Sequence, residues 1–486
     1  MKSTLIPEPQ LFFGGSEDSS CIDPKVGLIN FGPFGRFSRG KSEHLIIRAG
    51  IISTKKSKIL LESWLDKLKN RIPGRIDENS SRREVDFPGI SLDSPLKFEI
   101  QIDESCVEYI RESDIDDLEK FPRKKRILEV LKIYEQKFAD LASTSDPPPD
   151  IVFLPLSEKL IKLCENKKFK TGKIIYEYKT FNRKKIYEYT PLFDFHNAMK
   201  VIAFKNGNMV SQIIRPSTLN FNTSQDPATV AWNFAVATYY KATGIPWKLA
   251  DIDEETCYVG LSFYQEITEK DRNMRASMAH VYLRTGESQV IRGKPFKWDE
   301  NQGKHPYLTE NLAYEIIKDV IELYKRQKNN ALPRRIVIHK TTPFKDEEIG
   351  GFDKGIKGIE MADYIHIHQK SGIMLFYKGK TYPPIRGTFI YDKTKFILYT
   401  TGYVPSLNTY MGSSVPMPLF LEAYRMDSHP EQIAKDIMAL TKLDWNNAYF
   451  NVRLPVTIGV SRKVGNILSE SSARNIDAPS NYRYYM

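Results

Sequence analysis

Cysteine is scarce in this sequence, and the few that occur are scattered. The chain of 486 residues contains four cysteines, Cys21, Cys106, Cys164 and Cys257, and no two of them form a CxxC pair. Zinc knuckles need closely spaced thiols, and small secreted domains need many cysteines for their disulfides. The sequence therefore predicts an intracellular protein with reduced thiols and without a zinc knuckle.

Long apolar runs are absent as well. No stretch approaches the ~18 consecutive apolar residues that a membrane-spanning helix needs. The N-terminal segment MKSTLIPEPQLFFGG lacks the basic, apolar and small-residue order of a signal peptide. We therefore expect a cytoplasmic protein that does not contact a membrane.

The length and the charge indicate the number of domains and the kind of partner. A chain of 486 residues is too long for one hydrophobic core, so two or three domains are expected. Hydrophobic residues make up 41% and charged residues 27%, which is typical of a globular protein. The net charge of +11 and the pI of about 9.1 favour a polyanionic partner such as a nucleic acid, although charge alone does not identify one.

The first half alternates strands and helices. The run LIIRAGII predicts a buried strand, and a helix follows Thr54. The segments PDIVFLPLSEKLIKLCE and SQIIRPSTL continue the pattern, which requires parallel strands with helices on the sheet faces. We predict a Rossmann-like α/β domain over residues 44–248. The first helix is expected to bury one apolar stripe, formed by Ile59, Leu60, Leu61, Trp64 and Leu68.

The second half has a different order of elements. Three strands precede a long amphipathic helix and the buried strand RRIVIHK. Further strands are predicted at 372–379, 387–403 and 454–460, with a helix at 433–442. This order predicts a ribonuclease H-like domain over residues 249–486. Residues 1–43 form an N-terminal arm, whose segment FGPFGRFSRG is expected to pack on a partner or on a nucleic acid.

A candidate anion site lies near the middle of the chain. His196 and Lys200 are four residues apart on a predicted helix and therefore share one face. The backbone amides at the N-terminus of that helix would add positive charge and free donors. Gln212 on the next strand offers an amide, and Lys241 offers a second ammonium group. The alternative is a solvated helix face followed by a core strand.

Four segments together resemble the Argonaute family in its short prokaryotic form, which keeps only the MID and PIWI domains. The resemblance covers roughly residues 40–486 and implies a MID domain followed by a PIWI domain. It also implies that His196, Lys200, Gln212 and Lys241 hold the 5′-phosphate of a guide strand. Many relatives have tyrosine where this chain has His196. The four segments are FHNAMK with SQIIR, WNFAVATYYKATGIPWKLADID, RRIVIHKTTPFKDEEIGGFDKGI, and LTKLDWNN with LPVTIGVSRKVGNIL.

The resemblance also implies a metal ion at the guide 5′ end. In the family, the terminal carboxylate of the chain helps to hold a divalent cation against guide phosphates. The chain ends in PSNYRYYM, and we expect Met486 to dock beside Gln212 at a Mg²⁺ ion. An oxygen-rich site completed by phosphate suits this hard cation.

The residues at the expected nuclease positions argue against cleavage. A PIWI domain that cuts its target uses carboxylates to hold two metal ions. Ser262, Thr341 and Arg462 stand where three of the four metal ligands belong. We therefore expect that the chain is not an enzyme. The alternative is an active nuclease that uses other acids, such as Glu254, Glu255 or Asp353.

A second group of polar residues needs an explanation. His366 and His368 share one face of a predicted strand, near Asp363. They form a possible metal pair without an evident third ligand. A basic patch that contacts nucleic acid is the favoured interpretation.

The resemblance implies a partner protein. Short Argonautes of this kind form one half of a prokaryotic defence pair, whose other half joins an APAZ domain to an effector such as a TIR or sirtuin-like NADase. The guide is then RNA and the target is single-stranded DNA from plasmids or phage. The alternative from another class is a stand-alone guide-directed repressor.

Overall fold

The computed structural model describes most of the chain in detail. The described residues are 2–15, 18–36, 40–41, 45–75, 84–164, 177–181, 184–188, 194–223, 225–250, 253, 255–266, 274–282, 288–298, 305–368, 372–375, 383–408, 410 and 415–486.

The described residues form the following strands and helices. The strands are β1 (Lys2–Leu5), β2 (Leu11–Phe12), β3 (Ser20–Cys21), β4 (Gly35–Arg36), β5 (Gly40–Lys41), β6 (Leu45–Ser53), β7 (Phe98–Tyr109), β8 (Ile151–Pro155), β9 (Glu177–Phe181), β10 (Lys184–Glu188), β11 (Ser211–Ile214), β12 (Gly244–Ile245), β13 (Lys248–Leu249), β14 (Thr256–Glu266), β15 (Met274–Tyr282), β16 (Ser288–Lys297), β17 (Arg335–Lys340), β18 (Met361–His368), β19 (Thr388–Asp392), β20 (Lys395–Leu398) and β21 (Leu419–Met426). The helices are α1 (Pro24–Phe31), α2 (Lys55–Leu68), α3 (Glu112–Asp116), α4 (Arg123–Thr144), α5 (Glu158–Cys164), α6 (Phe195–Lys205), α7 (Pro216–Leu219), α8 (Pro227–Lys241), α9 (Glu310–Gln327), α10 (Asp346–Gly355), α11 (Pro430–Leu440), α12 (Val456–Gly459) and α13 (Ser461–Ala473).

The first lobe is built on a four-stranded parallel sheet in the order β11-β8-β6-β7. Both faces of this sheet are covered. On β8, Ile151 and Phe153 belong to one hydrophobic cluster, and Val152 and Leu154 belong to the cluster on the other face. Successive side chains of a strand point to opposite faces, so a strand covered on both sides is apolar throughout. The prediction of a Rossmann-like sheet is confirmed.

The apolar stripe on α2 is narrower than predicted. Leu61, Trp64 and Leu68 are fully buried, but Ile59 is 64% exposed and Leu60 is 41% exposed. Residues that face the core recur three or four positions apart, and the observed set follows that spacing. The prediction that Ile59 and Leu60 belong to this buried stripe is therefore wrong.

The second lobe contains a nine-stranded sheet in the order β1-β19-β20-β21-β18-β17-β14-β15-β16. Its central strands β14, β17 and β18 are parallel, whereas β15 and β16 continue β14 as antiparallel neighbours. If β14 is counted as strand 1, then β15, β16, β17 and β18 are strands 2, 3, 4 and 5. Their order across the sheet, 3-2-1-4-5, is that of ribonuclease H-like domains. The predicted fold of this half is confirmed.

Two predicted strands of the second lobe are wrong. Residues 454–460 contain the short helix α12, which begins after Pro455. Its apolar run was short, and periodicity does not distinguish a short strand from a buried helix turn. Residues 372–375 are not a strand, and the rest of that predicted element lies outside the described residues.

The N-terminal segment packs on its own chain. Strand β1 pairs with β19, β2 pairs with β13, and β4 pairs with β12. Glu8 forms ion pairs with Arg386 and Lys442, both of which are buried. The described residues Gly35 and Arg36 of the segment FGPFGRFSRG form β4, and the expectation that this segment packs on a partner or on nucleic acid stays a prediction.

A close approach of α12 to the central sheet positions the last helix. A Cβ atom at Gly260 on β14 would lie 1.9 Å from the Thr457 carbonyl oxygen, so the packing requires glycine there. Opposite it, His339 Nδ1 lies 2.9 Å from the Thr457 hydroxyl. These contacts fix the start of α13, which also packs against α6 of the first lobe.

Among the residues that the structure describes, no helix is both long enough and apolar enough to cross a bilayer.

Candidate anion-binding site

A cavity of about 240 Å³ lies where the two lobes meet. The first lobe supplies residues of α6, β11, α7 and α8, and the second lobe supplies Asn446 and Lys463 together with Met486. All of the residues predicted to bind a phosphate and its ion therefore line one space. The lining residues are His196, Lys200, Gln212, Ile213, Thr218, Gln225, Val230, Asn233, Phe234, Ala237, Lys241, Asn446, Lys463 and Met486.

Lys200 is a buried cation on α6. Its side chain is only 3% exposed, and no described residue lies within hydrogen-bonding distance of its ammonium group. Burial, followed by the charges of Lys241 and Lys463, lowers the pKa of Lys200 well below its ordinary value. An ammonium group in this position is unfavourable unless an anion joins it.

Lys241 is held at the last residue of α8. Its ammonium group donates to the Ser211 carbonyl at 3.1 Å and also to Gln212 Oε1. Burial and then the charge of Lys463 lower the pKa of Lys241 well below its ordinary value. Because its hydrogen-bond partners are neutral, the charge is solvated but not compensated.

Lys463 was missed in the sequence analysis. It lies on α13, more than 200 residues away from the other lysines, and it donates to Asn446 Oδ1 at 3.4 Å. Burial lowers the pKa of Lys463, and the carboxylate of Asp444 partly opposes that shift. The signal was available, because Lys463 stands next to Arg462 in the segment SRKVGNIL, but that segment was related to the fold and to a nuclease position and not to the phosphate site.

His196 lies at the rim of the cavity, where its side chain is exposed. The helix N-terminus around it differs from the prediction. Asp194 caps α6, and its carboxylate accepts from the amides of His196 at 2.9 Å and Asn197 at 3.2 Å. These two amides are therefore not free donors for an anion, and the expectation based on the helix N-terminus is wrong for them.

Gln212 and Met486 both reach the cavity. The Gln212 amide nitrogen donates to the Ile213 carbonyl at 3.0 Å, so one of the two N–H groups of the predicted amide donor is engaged. Met486 is 2% exposed and lines the cavity as expected.

The Mg²⁺ ion predicted beside Gln212 and Met486 stays a prediction, with the terminal carboxylate of Met486 as its expected ligand from the protein. No aspartate or glutamate is among the described residues that line the cavity, and the amide oxygens of Gln212 and Asn446 accept from lysines. Magnesium requires several oxygen ligands and usually a carboxylate. Three ammonium groups suit an anion, and the oxygens of a bound phosphate would supply further ligands to such an ion.

Two of the predicted nuclease positions lie at adjacent parallel strands. Leu261 on β14 pairs with Lys340, the last residue of β17, so Ser262 lies within β14 and Thr341 directly follows β17. The Ser262 hydroxyl is buried without a hydrogen-bond partner among the described residues, and Thr341 is exposed. Arg462 lies in the first turn of α13 and is exposed.

The alternative acids occupy other positions. Asp353 accepts from the Tyr364 hydroxyl at 2.8 Å and pairs with Arg425 at 2.8 Å. Glu255 lies at the turn before β14, and Glu254 lies outside the described residues. Asp353 is thus engaged in its own ion pair.

The histidine pair lies on β18, as predicted, and the two rings are 3.6 Å apart. His366 is only 2% exposed, so it is not part of a surface patch. Asp363 is not beside it as a ligand, because Arg335 and Ser428 bind its carboxylate. A third ligand does lie near the pair, and it is Glu422 of β21. The expectation of a two-histidine basic patch is wrong for His366.

Comparison of the structure with solved structures identifies the fold. Clostridium butyricum Argonaute, bound to a guide DNA and a 19-mer target DNA, superposes with a TM-score of 0.64 over 96% of this chain and 53% of its own, at 16% identity. Drosophila Piwi gives a TM-score of 0.61 over 100% of this chain and 56% of its own, at 13% identity. Marinitoga piezophila Argonaute, in complex with a 5′ OH guide RNA, gives 0.54 over 95% and 58%, at 12% identity.

The chain has the Argonaute fold. It spans little more than half the length of these Argonaute and Piwi proteins. The first lobe corresponds to a MID domain and the second to a PIWI domain, which confirms the predicted fold class. No protein-family model matches the sequence, and no curated protein is significantly similar to it. The domain limits predicted at residues 43 and 248 stay predictions.

Proposed function

We propose that this chain binds the phosphorylated 5′ end of a short guide strand in the cavity between its MID and PIWI lobes. One observation carries the proposal: Lys200, Lys241 and Lys463 converge on one cavity, and no aspartate or glutamate is among its described lining residues. Bringing three cations together, two of them buried, is unfavourable in the empty protein. A terminal phosphate carries up to two negative charges and several acceptor oxygens, and it would compensate them.

The cavity is suited to the end of a nucleic-acid strand and not to its interior. Two of its three lysines are almost completely buried, which places their ammonium groups inside the cavity and not along a groove. Contacts to internal phosphates can be made by lysines on an open surface. A terminal phosphate can enter a recess, and His196 at the rim can stack on or donate to the first nucleotide.

We further propose that the chain does not cut the target. Ser262, Thr341 and Arg462 lack the carboxylate that a two-metal nuclease site requires. The guide would deliver recognition through base pairing, and the protein would sense the duplex.

Recognition without cleavage needs a separate effector. Following the family resemblance, we propose an APAZ-domain partner that carries a TIR or sirtuin-like NADase. The guide would be RNA and the target single-stranded DNA from plasmids or phage. An adjacent gene that encodes an APAZ fusion would support this pairing, and a stand-alone repressor is the alternative if no such partner co-purifies.

The 5′-end proposal is tested by measuring the binding of one RNA 21-mer with either a 5′-phosphate or a 5′-hydroxyl. We expect the phosphorylated strand to bind at least about tenfold more tightly, since one charge-assisted hydrogen bond is worth about 1.5–3 kcal/mol. Equal affinities would contradict the proposal. Adding a complementary labelled DNA with Mn²⁺ tests the second part, and a cleaved target would show an active nuclease.

A further inference from the structure

A second polar cluster lies in the PIWI lobe, between β18 and β21. His366 and His368 are two residues apart on β18 and point to the same face of the sheet. Glu422 is the direct cross-strand partner of His366 on β21. One ligand atom from each of these three side chains lies within 4.8 Å of the other two.

The hydrogen bonds define which ring nitrogen of His366 is available. Nε2 of His366 lies 3.2 Å from the Thr341 carbonyl oxygen, and a carbonyl can only accept, so Nε2 carries the proton. Nδ1 is then a bare lone pair. It is buried without a hydrogen-bond partner among the described residues, and the Glu422 carboxylate is 4.0 Å away.

The second imidazole also has a nitrogen without a hydrogen-bond partner among the described residues, and it is the buried Nε2 of His368. Two imidazole nitrogens and a carboxylate thus surround one point, with no donor between them in the described part of the chain. Leaving such polar atoms buried and unsatisfied costs about 1–3 kcal/mol each.

Neighbouring cations and hydroxyl groups do not already satisfy these imidazole nitrogens and the Glu422 carboxylate. Lys395 lies 3.9 Å from Glu422, and the Tyr424 hydroxyl lies 3.5 Å from it, so both contacts are long. Lys340 pairs with His366 across the sheet, but its ammonium group is bound by both oxygens of Glu348 at 2.6 Å.

We propose that His366 Nδ1, His368 Nε2 and the Glu422 carboxylate bind a divalent transition-metal ion, with Zn²⁺ as the best fit. Imidazole nitrogens select such ions over Mg²⁺, and two histidines with one carboxylate leave a fourth position open to water. The contact from His366 Nε2 to the Thr341 carbonyl is the kind of second hydrogen bond that orients a metal-binding imidazole. The ion would join β18 to β21. This site is separate from the guide cavity and does not depend on the proposed function.

The experiment uses the full-length, tag-free chain after treatment with a chelator. Co²⁺ is titrated while visible absorption is recorded, because a tetrahedral Co²⁺ site with nitrogen ligands absorbs strongly, and Zn²⁺ is then added as a competitor. We expect one Co²⁺ per chain, complete displacement by Zn²⁺, and no displacement by excess Mg²⁺. Zn²⁺ should also raise the melting temperature.

Variants test which side chains bind the metal ion. His368→Ala and Glu422→Gln alter partly buried side chains, so they test the site without removing the fully buried His366. Both should weaken Co²⁺ binding by at least about tenfold and abolish the Zn²⁺-dependent rise in melting temperature. His429→Ala removes an exposed histidine outside the cluster and should bind Co²⁺ like the unmodified chain. Equal Co²⁺ binding by His368→Ala and the unmodified chain, or no stoichiometric binding at all, would overturn the proposal.

Discussion

The ammonium group of Lys241 donates to the backbone carbonyl of Ser211, 3.1 Å away. This bond joins the end of α8 to the start of β11 and holds one cation of the cavity in place before any ligand arrives. Lys200, which lines the same cavity from α6, makes no such bond to a described residue. The two lysines therefore differ in their effect on stability. Lys241 contributes to both the folded structure and the site, whereas Lys200 contributes to the site but destabilises the guide-free protein.

Replacing Lys200 by methionine should stabilise the guide-free protein. The substitution keeps an unbranched side chain but removes a buried charge that lies close to two others. We expect the free energy of unfolding to increase by about 1 kcal/mol, the size typical of single stabilising changes. Urea denaturation of the guide-free chain measures it.

A matched control lies on the same helix. Lys205 of α6 is exposed and forms an ion pair with Glu135. Lys205→Met should leave stability unchanged or slightly lower, because a surface ion pair contributes about 0–1 kcal/mol. If Lys200→Met destabilises the chain as much as a core substitution would, Lys200 is a structural residue and not a binding residue.

The stability difference should depend on pH with a defined sign. The pKa of Lys200 is lowered in the folded chain, whereas the unfolded chain has the ordinary value of 10.5. Between these two values the unfolded chain binds more protons, so the stability of the unmodified protein rises with pH. The advantage of Lys200→Met should therefore shrink as the pH rises toward 10.5. Denaturation of both proteins at pH 7, 8 and 9 tests this, and an advantage that grows with pH would be inconsistent with a buried cation.

Lys463 should contribute to guide binding from the PIWI lobe. We expect Lys463→Ala to weaken a 5′-phosphorylated guide by about tenfold, since it removes one charge-assisted contact. A 5′-hydroxyl guide should be affected less. Lys435→Ala, which removes an exposed lysine of α11, should weaken both guides equally and slightly. Fluorescence anisotropy with both guides checks this, and an equal loss for both guides in Lys463→Ala would place the lysine outside the phosphate contact.

The buried pair of Lys340 and Glu348 should be essential for folding. Both side chains are at most 1% exposed, and both carboxylate oxygens accept from the ammonium group at 2.6 Å. Glu348→Gln leaves a buried cation without its counter-ion and should cost about 3–5 kcal/mol. Glu347→Gln on the same helix is exposed and should cost almost nothing. Thermal melting of the two variants should differ clearly, and similar melting temperatures would show that Lys340 is compensated in another way.

Much of the fold followed from local patterns. The apolar runs of β6, β8 and β17 predicted buried parallel strands because both faces of each strand are covered. Strand β7 was not predicted, because Phe98–Tyr109 is largely polar and lies at the sheet edge. Helix α4 was not predicted either. Residues 454–460 were too short for periodicity to distinguish α12 from a strand.

The cavity was predicted in part for a similar reason. His196 and Lys200 are one helix turn apart, so their shared face is visible in the sequence. Lys463 and Asn446 reach the same space only through the docking of α13 on α6, which no local pattern encodes. Glu422 escaped notice beside the histidine pair because the pairing of β18 with β21 joins residues more than 50 positions apart.

A thermodynamic cycle tests the central claim most directly. The dissociation constants of 5′-phosphate and 5′-hydroxyl forms of one guide are measured for the unmodified chain and for the double variant Lys200→Ala, Lys241→Ala. If the buried lysines bind the terminal phosphate, the preference for the phosphorylated guide should fall by about 100-fold or more, the value of two charge-assisted contacts. An unchanged preference in the double variant would contradict the account, because the phosphate would then be bound elsewhere.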